Sequence, residues 1–536
     1  MVNIKMIAII PEPYLITKTS GNFKLNEDTV IYSNQTLKKI VAYLKNLFLP
    51  ATGINLKSSL FGERPNDNNS ISLKLIDSKD RLGPEGYLLE VYPLRISISA
   101  NTPAGIFYGI QTLRQLFPVE LESKKFIENM TWKAPCLKIE DNPRFSWRGY
   151  MVDEARHFHG KDVVMKLLDL MALLKMNVFH WHLTDDQGWR VEIKKYPKLT
   201  EIGSSREETQ IGGFLNRKTN GIPHSGYYSQ EDIHEVVNYA KNRFITIIPE
   251  IDMPGHMRAA LASYNYLSCR GHSFRVSPHW GIHRDVLCVG KDEVFKFVQG
   301  VLEEIIALFP SDVIHIGGDE IPTHRWKECS NCQVRLNEEG LSDEKDLQVY
   351  FTNRIASYLN SKEKRVMGWN EILSENLKSD VICQYWIRGK DKVFNHLRKN
   401  GKVVMSNFRY VYLDHSYSFT PLKLAYEFEP LPKKLQKQYY ENVLGLEALM
   451  WGEFTPTTKR LEWQTFPRLI AFSEVSWTPK ERKNYHFFQD RLGVFLKRLD
   501  ILGVNYANKK EVNPGLLKRK TGLFTLIKAQ NGGNSS

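Results

Sequence analysis

The chain has no apolar stretch approaching the roughly 18 residues that a membrane span needs, and its first eleven residues, Met1 to Pro11, are too short for a signal peptide. A membrane protein is therefore not expected, and an exported form is expected to have lost a leader. Cysteine is scarce: six in 536 residues, too few and too scattered for a disulfide framework. Cys329 and Cys332 have the spacing of half a zinc ribbon. No second such pair exists, so Cys136, Cys269, Cys288, Cys329, Cys332 and Cys383 read as ordinary thiols and no metal is assigned. There is no low-complexity linker, no short repeat and no glycine-rich phosphate loop. The net charge is +13, but 73 basic residues are balanced by 60 acidic ones along the whole length. Basic clustering is confined to Lys509-Lys510 and Lys518-Arg519-Lys520, so no nucleic-acid partner is expected.

What is present is a large apolar fraction, 42%, enough for a barrel-sized domain and a smaller one. Residues 1–140 mix short strands with helices at Gln35 to Phe48 and Ala104 to Phe117, which predicts an α+β accessory domain. A different rhythm begins at Asn142-Pro143. Apolar runs at 147–152, 177–183, 243–249, 312–317, 365–369, 380–385, 403–408 and 444–450 alternate with helical patterns such as Val163 to Lys175, Gln230 to Asn242, Asp292 to Phe309 and Leu347 to Leu359. Eight such units predict a (β/α)₈ TIM barrel over 141–505, followed by a basic and polar tail, 506–536, whose last residues, from Gln530, are expected to be disordered.

In such barrels chemistry gathers where strands end, and here the polar and aromatic residues do the same. The first four strands lead into Asp153 to His157, Thr184 to Gln187, Glu250 to His256, and Asp319-Glu320. The last four lead into Trp369 to Glu371, Trp386, Tyr410 to Asp414, and Trp451 to Glu453. Asp319 and Glu320 follow two glycines; neighbouring carboxylates in a confined site cannot both ionise freely, so one is expected to have a raised pKa. Tryptophans beside carboxylates and an arginine suit a sugar, whose C–H face stacks on rings while its hydroxyls take hydrogen bonds.

These residues carry a resemblance. Trp147-Arg148-Gly149, Asp153 to Phe158, His180 to Gln187, Pro254-Gly255-His256 and His315 to Glu320 are similar to the motifs of family 20 glycoside hydrolases, the β-N-acetylhexosaminidases. Glu85-Gly86-Tyr87, Phe107 to Thr112 and Met450 to Glu453 extend the likeness over nearly the whole chain. The resemblance implies an exo-acting, retaining enzyme that removes terminal β-linked N-acetylglucosamine or N-acetylgalactosamine from an oligosaccharide or glycoconjugate, without a cofactor. It makes Glu320 the acid and base, and Asp319 the residue that orients the substrate's 2-acetamido group, which itself attacks the anomeric carbon. It makes Arg156 and Glu453 the hydroxyl binders, Tyr412 the partner of the acetamido oxygen, and Asp414 a neighbour of the 6-hydroxyl that repels a 6-sulfate. Trp369, Trp386 and Trp451 wall the acetamido pocket, and Asp185 and His256 support the acid pair.

Other readings stand beside this one. His180 and His182 share one strand face and suit a metal-dependent barrel hydrolase, and a lectin on a barrel that has lost its chemistry or a disaccharide-releasing relative are further alternatives. Trp463 and Trp477 read as core, Asp186 and Asp252 as loop anchors, and Arg144 and Arg148 as structural ion pairs. The loops 203–228 and 263–289 are expected to select the natural glycan. Oligomeric state and cellular address are not legible.

Overall fold

The computed structural model describes residues 7–61, 69–77, 81–213, 216–515 and 518–519. Its amino-terminal part is a seven-stranded sheet: β1 (Leu15–Lys24), β2 (Val30–Ser33), β3 (Lys57–Leu60), β4 (Ser70–Leu75), β5 (Tyr87–Val91), β6 (Arg95–Ala100) and β7 (Lys133–Asp141), in the order β1-β7-β5-β6-β4-β2-β3. Two helices, α1 (Lys38–Thr52) and α2 (Pro103–Leu116), accompany it. Helix α1 buries Ile40, Val41, Leu44 and Phe48, the stripe that a 3.6-residue period puts on one face. Helix α2 starts where Thr102 accepts the amide of Gly105 and Pro103 occupies the first turn, where its missing N–H costs nothing.

Eight parallel strands then close into a barrel: β8 (Trp147–Asp153), β9 (Val178–Asp185), β10 (Thr246–Ile251), β11 (Val313–His315), β12 (Arg365–Trp369), β13 (Val381–Tyr385), β14 (Lys402–Met405) and β15 (Val443–Met450). Strand β15 pairs with β8 and β8 with β9, which completes the ring. The surrounding helices include α3 (Lys161–Leu173), α4 (Gln230–Lys241), α5 (Asp292–Leu308), α6 (Glu344–Ser361), α7 (Lys390–Arg398), α8 (Arg468–Trp477) and α9 (Tyr485–Ile501). The eight-strand barrel behind a smaller mixed domain is the architecture the sequence pattern predicts.

Three expected strand boundaries shift, each for a local reason. Phe244 takes a left-handed φ of 57° and the amide of Ile245 returns to the carbonyl of Ala240, so β10 starts at Thr246 rather than 243. Gly317 and Gly318, at φ 66° and 93°, end β11 at His315. Asn407 caps a short helix, Phe408–Val411, so β14 stops at Met405. Residues at the head of the expected polar tail pack against the barrel: Ala507 and Val512 are buried and the Ala507 amide donates to Phe466. The tail's last residues, from Gln530, lie outside the described residues, as do Met1 to Met6.

The barrel interior is layered. Its floor takes one residue from every strand: Trp147, Val178, Ile248, Val313, Met367, Ile382 and Val404, with Leu444 packed against them. Above this apolar floor lies a buried polar layer. The Glu250 carboxylate stands 2.5 Å from His182 Nδ1, 3.0 Å from His180 Nε2 and 2.9 Å from His315 Nδ1, and accepts the Trp369 indole N–H at 2.9 Å. Glu447 meets His180 Nδ1 at 2.7 Å and accepts from Trp147 and Gln384. Burial of these charges is sustainable because each is answered.

One expectation is corrected. Cys269, Cys288, Cys329 and Cys332 are not scattered thiols: the fold gathers all four sulfurs within 4.8 Å of one another. The partners of Cys329 and Cys332 are separated in sequence and meet only when the loops after β10 and β11 pack together. Cys136 and Cys383 stay isolated and buried.

Candidate active site

The polar layer is continuous with a pocket at the carboxyl ends of the strands. His182 Nε2 lies 3.1 Å from Asp185 Oδ2, and Asp185 Oδ1 lies 3.2 Å from His256 Nδ1. His256 Nε2 then stands 3.9 Å from both Asp319 Oδ2 and Glu320 Oε2. A chain of alternating histidines and acids thus runs from the barrel interior to the carboxyl pair. His256 and Glu320 both take left-handed backbone conformations, φ 53° and 48°, which is uncommon for side-chain-bearing residues and is the kind of strain stored at functional sites. Gly317 is required for contact: a Cβ there would fall 1.7 Å from Asp252 Oδ1, the oxygen that accepts the amide of Gly318.

The electrostatics separate the two neighbouring acids. Burial among protein atoms first, and the Asp319 carboxylate second, raise Glu320 to about 7. About a third of its side chain faces solvent, 35%, so water softens that shift and leaves the group accessible to a ligand. Burial also raises Asp319, and the His256 cation opposes the rise. Asp185 lies well below the usual carboxylate range: burial alone would raise it, but Arg156 and His256 outweigh burial. His256 is held as a cation by Asp185, Asp252 and Asp186 against the cost of its burial.

The remaining expected residues surround this pair. Arg156 is buried, ion-paired to Asp185 at 2.6 Å and Asp153 at 3.0 Å, donates to Gln187, and lies 5.1 Å above the Trp451 ring. Trp369 and Trp451 are 5.7 Å apart, and Trp386 stacks on Tyr412 at 6.3 Å. Burial and Glu453 push Asp414 well up, and burial raises Glu453. Asp319 Oδ1, Asp414 Oδ1, Glu453 Oε2 and His256 Nε2 are buried polar atoms without a hydrogen-bond partner among the described residues. Four such atoms from four strand ends, converging beside three tryptophans, match a polyhydroxyl ligand with an apolar face.

His180 and His182 sit below the mouth, each between two carboxylates, where they balance buried charge. Asp186 accepts the Arg258 amide and Asp252 that of Gly318, as loop anchors do. Arg148 pairs with Glu85 and Arg144 with Glu429; Trp477 is core, and Trp463 packs partly buried against it. Glu371 lacks an assigned role in the motif reading, although it directly follows β12. It accepts the Trp386 indole N–H at 3.0 Å, and burial and Asp319 raise it to about 8. Its position after a strand was the available signal. Glu447 had none, because it lies inside the apolar run of β15.

Comparison with known proteins follows the same lines. The family description "Glycosyl hydrolase family 20, catalytic domain" matches residues 145–480, and "Glycosyl hydrolase family 20, domain 2" matches residues 6–142. A Porphyromonas gingivalis beta-hexosaminidase is 40% identical over 95% of this chain and 66% of its own length. The chain therefore spans just under two thirds of that relative. A Vibrio furnissii beta-hexosaminidase is 32% identical over 87% of this chain and 76% of its own. A GH20 exo-β-N-acetylglucosaminidase from Vibrio harveyi, solved with N-acetylglucosamine, superposes with a TM-score of 0.82 at 32% identity, covering 94% of this chain and 78% of that one. The GH20 β-N-acetylhexosaminidase of Streptomyces coelicolor gives 0.81 at 29% identity, covering 94% and 98%.

Proposed function

The chain belongs to glycosyl hydrolase family 20, and from that premise we propose that it is a retaining exo-β-N-acetylhexosaminidase that releases terminal N-acetylglucosamine or N-acetylgalactosamine by substrate-assisted catalysis. The observation that carries the reading is the adjacent pair at the end of β11: Glu320 poised near neutrality beside Asp319, which keeps a free buried carboxylate oxygen. Two carboxyl groups on successive residues are badly placed to flank a glycosidic bond as acid and nucleophile. They are well placed to act on one face, one on the leaving oxygen and one on a neighbouring amide.

In the first step Glu320 gives its proton to the glycosidic oxygen as the C1–O bond breaks, and the acetamido oxygen of the substrate forms a bond to C1. The amide nitrogen gains positive charge, and Asp319 Oδ1 accepts its N–H and balances that charge. The Tyr412 hydroxyl, kept protonated by burial, donates to the acetamido oxygen and orients it. In the second step the Glu320 carboxylate removes a proton from water as that water attacks C1 and the oxazolinium ring opens. Two inversions at C1 give retention. His256, charged and 3.9 Å from both acids, sets their balance.

Arg156, fixed by Asp153 and Asp185, takes the 3- and 4-hydroxyls, and Glu453 the 4- and 6-hydroxyls. Trp369, Trp386 and Trp451 wall the acetamido pocket. Asp414, beside Glu453, offers an acid and no cation to the 6-position. Arg468 donates to the carbonyls of Leu413, His415 and Thr420 and so fixes the backbone on either side of Asp414. No helix among the described residues is long and apolar enough to cross a membrane, and the acidic pocket favours neutral sugars over nucleic acid. An aryl glycoside whose 2-acetamido group is replaced by hydroxyl is expected to be nearly inert. Hydrolysis of a plain β-glucoside at a comparable rate would refute the participation of the amide.

A further inference from the structure

We propose that Cys269, Cys288, Cys329 and Cys332 form a structural tetrathiolate site for one zinc ion, which fastens the two loops that carry the catalytic acids and their histidine. Three of the sulfur separations are 3.8 Å (Cys269 to Cys332), 3.6 Å (Cys288 to Cys329) and 3.6 Å (Cys288 to Cys332). Four sulfurs at the corners of a tetrahedron with Zn–S bonds of about 2.3 Å lie roughly 3.8 Å apart, so the cluster has the dimensions of a closed zinc site. None of the six cysteines forms a disulfide. A mononuclear ion fits where an iron–sulfur cluster does not, because a cluster spreads its thiolates over separate irons.

The surroundings are built to hold the four side chains. Cys269 and Cys288 lie within the segment between β10 and α5, and the Cys288 amide donates to Leu267 at 2.8 Å. Cys329 and Cys332 belong to the segment between β11 and α6, where Cys332 lies on the short helix Ser330–Glu338. The two segments touch closely at Gly290, where a Cβ would fall 2.2 Å from the Asn331 backbone. The buried Trp326 of the second segment donates its indole N–H to Leu287 of the first. Lys291 is pinned to the carbonyls of Tyr266 and Ser268, next to the sulfurs, where its charge offsets part of the negative charge of four thiolates. Asp285 receives both Arg270 and Arg325, a second bond between the same loops.

The first of these segments carries His256 and the second carries Asp319 and Glu320. An ion joining them holds the acid pair against its histidine and anchors the 263–289 loop, which contains Cys269 and Cys288 and where the rest of a longer glycan would lie.

The test is the metal content of full-length enzyme purified without a metal-affinity step and dialysed after exposure to Zn²⁺. The expected result is one zinc per chain, retained in Cys136→Ser and lost in Cys269→Ser and Cys332→Ser. Replacement by Co²⁺ should give the sulfur-to-cobalt charge-transfer absorption of a tetrathiolate ion, a readout that needs no variant to fold. Wild-type enzyme that takes up no zinc, or that shows these cysteines joined as disulfides, would overturn the site. Iron in place of zinc would overturn the assignment of the ion.

Discussion

Buried charge is handled in opposite ways at the two ends of the barrel. At the amino ends of β8 and β9, where the smaller domain docks, the buried charges of Arg148 and Lys175 meet acids. Arg148 and Asn177 meet Glu85, and Lys175 meets Asp141, which also accepts the Tyr87 hydroxyl, the Trp477 indole and the Tyr14 amide. At the carboxyl ends Asp319, Asp414 and Glu453 each keep a buried oxygen without a partner. The first arrangement stabilises the fold, because removing either partner strands a charge in a low-dielectric interior. The second stabilises nothing in the free enzyme. Unanswered carboxyl groups cost folding free energy and are kept for what a ligand supplies.

Four substitutions put that contrast to the test. Glu320→Gln should lower turnover of glycosides with poor leaving groups by roughly 10²–10⁴-fold, with far smaller losses on activated aryl glycosides and no loss of stability. Equal losses on both substrates would remove Glu320 from the acid role. At the other end, Lys175→Met should destabilise the protein by about 3–5 kcal/mol in urea unfolding, with KM little changed, because Asp141 loses its only cation among the described contacts. A stability change below roughly 1 kcal/mol would mean the two ends do not differ as described. Glu453→Gln should raise KM about tenfold or more through a weakened charged hydrogen bond to substrate, while the thermal midpoint stays level or rises; unaltered KM would place Glu453 outside the sugar site.

The smallest expected effect is in the pH dependence of stability. Glu320 and Glu371 have folded-state values of about 7 and about 8, against roughly 4.3 in an unfolded chain. Between those values the folded state binds more protons than the unfolded one. Their contribution is therefore complete below the unfolded value and is lost as pH rises through 7 and 8. Asp185, with its lowered pKa, works in the other direction, and its contribution is lost in acid. Glu371→Gln should flatten the fall in thermal midpoint from mildly acidic pH to 8, and an unchanged slope would contradict the burial of Glu371 as an acid.

The eight strands were legible because a buried parallel strand is an apolar run, and the mouth was legible because polar residues directly follow those runs. Boundaries failed where a backbone feature overrode the run, as at Phe244, at Gly317 and Gly318, and at Asn407. The polar layer was half legible: His180 and His182 stood out by alternation, whereas their partner Glu447 sits inside β15 with apolar neighbours and shows its role only once β15 lies beside β8. The cysteine cluster was illegible for the same reason. Its members come from two loops, and only Cys329 and Cys332 carry a recognisable spacing. Local pattern reveals elements and strand ends; contacts between distant segments need the fold.

Participation of the acetamido group is read from a series of aryl N-acetylglucosaminides whose acetyl group carries zero, one, two or three fluorines. If the acetamido oxygen is the nucleophile, kcat/KM should fall steeply with each fluorine as that oxygen loses electron density. A rate indifferent to fluorination would rule out the acetamido oxygen as the nucleophile.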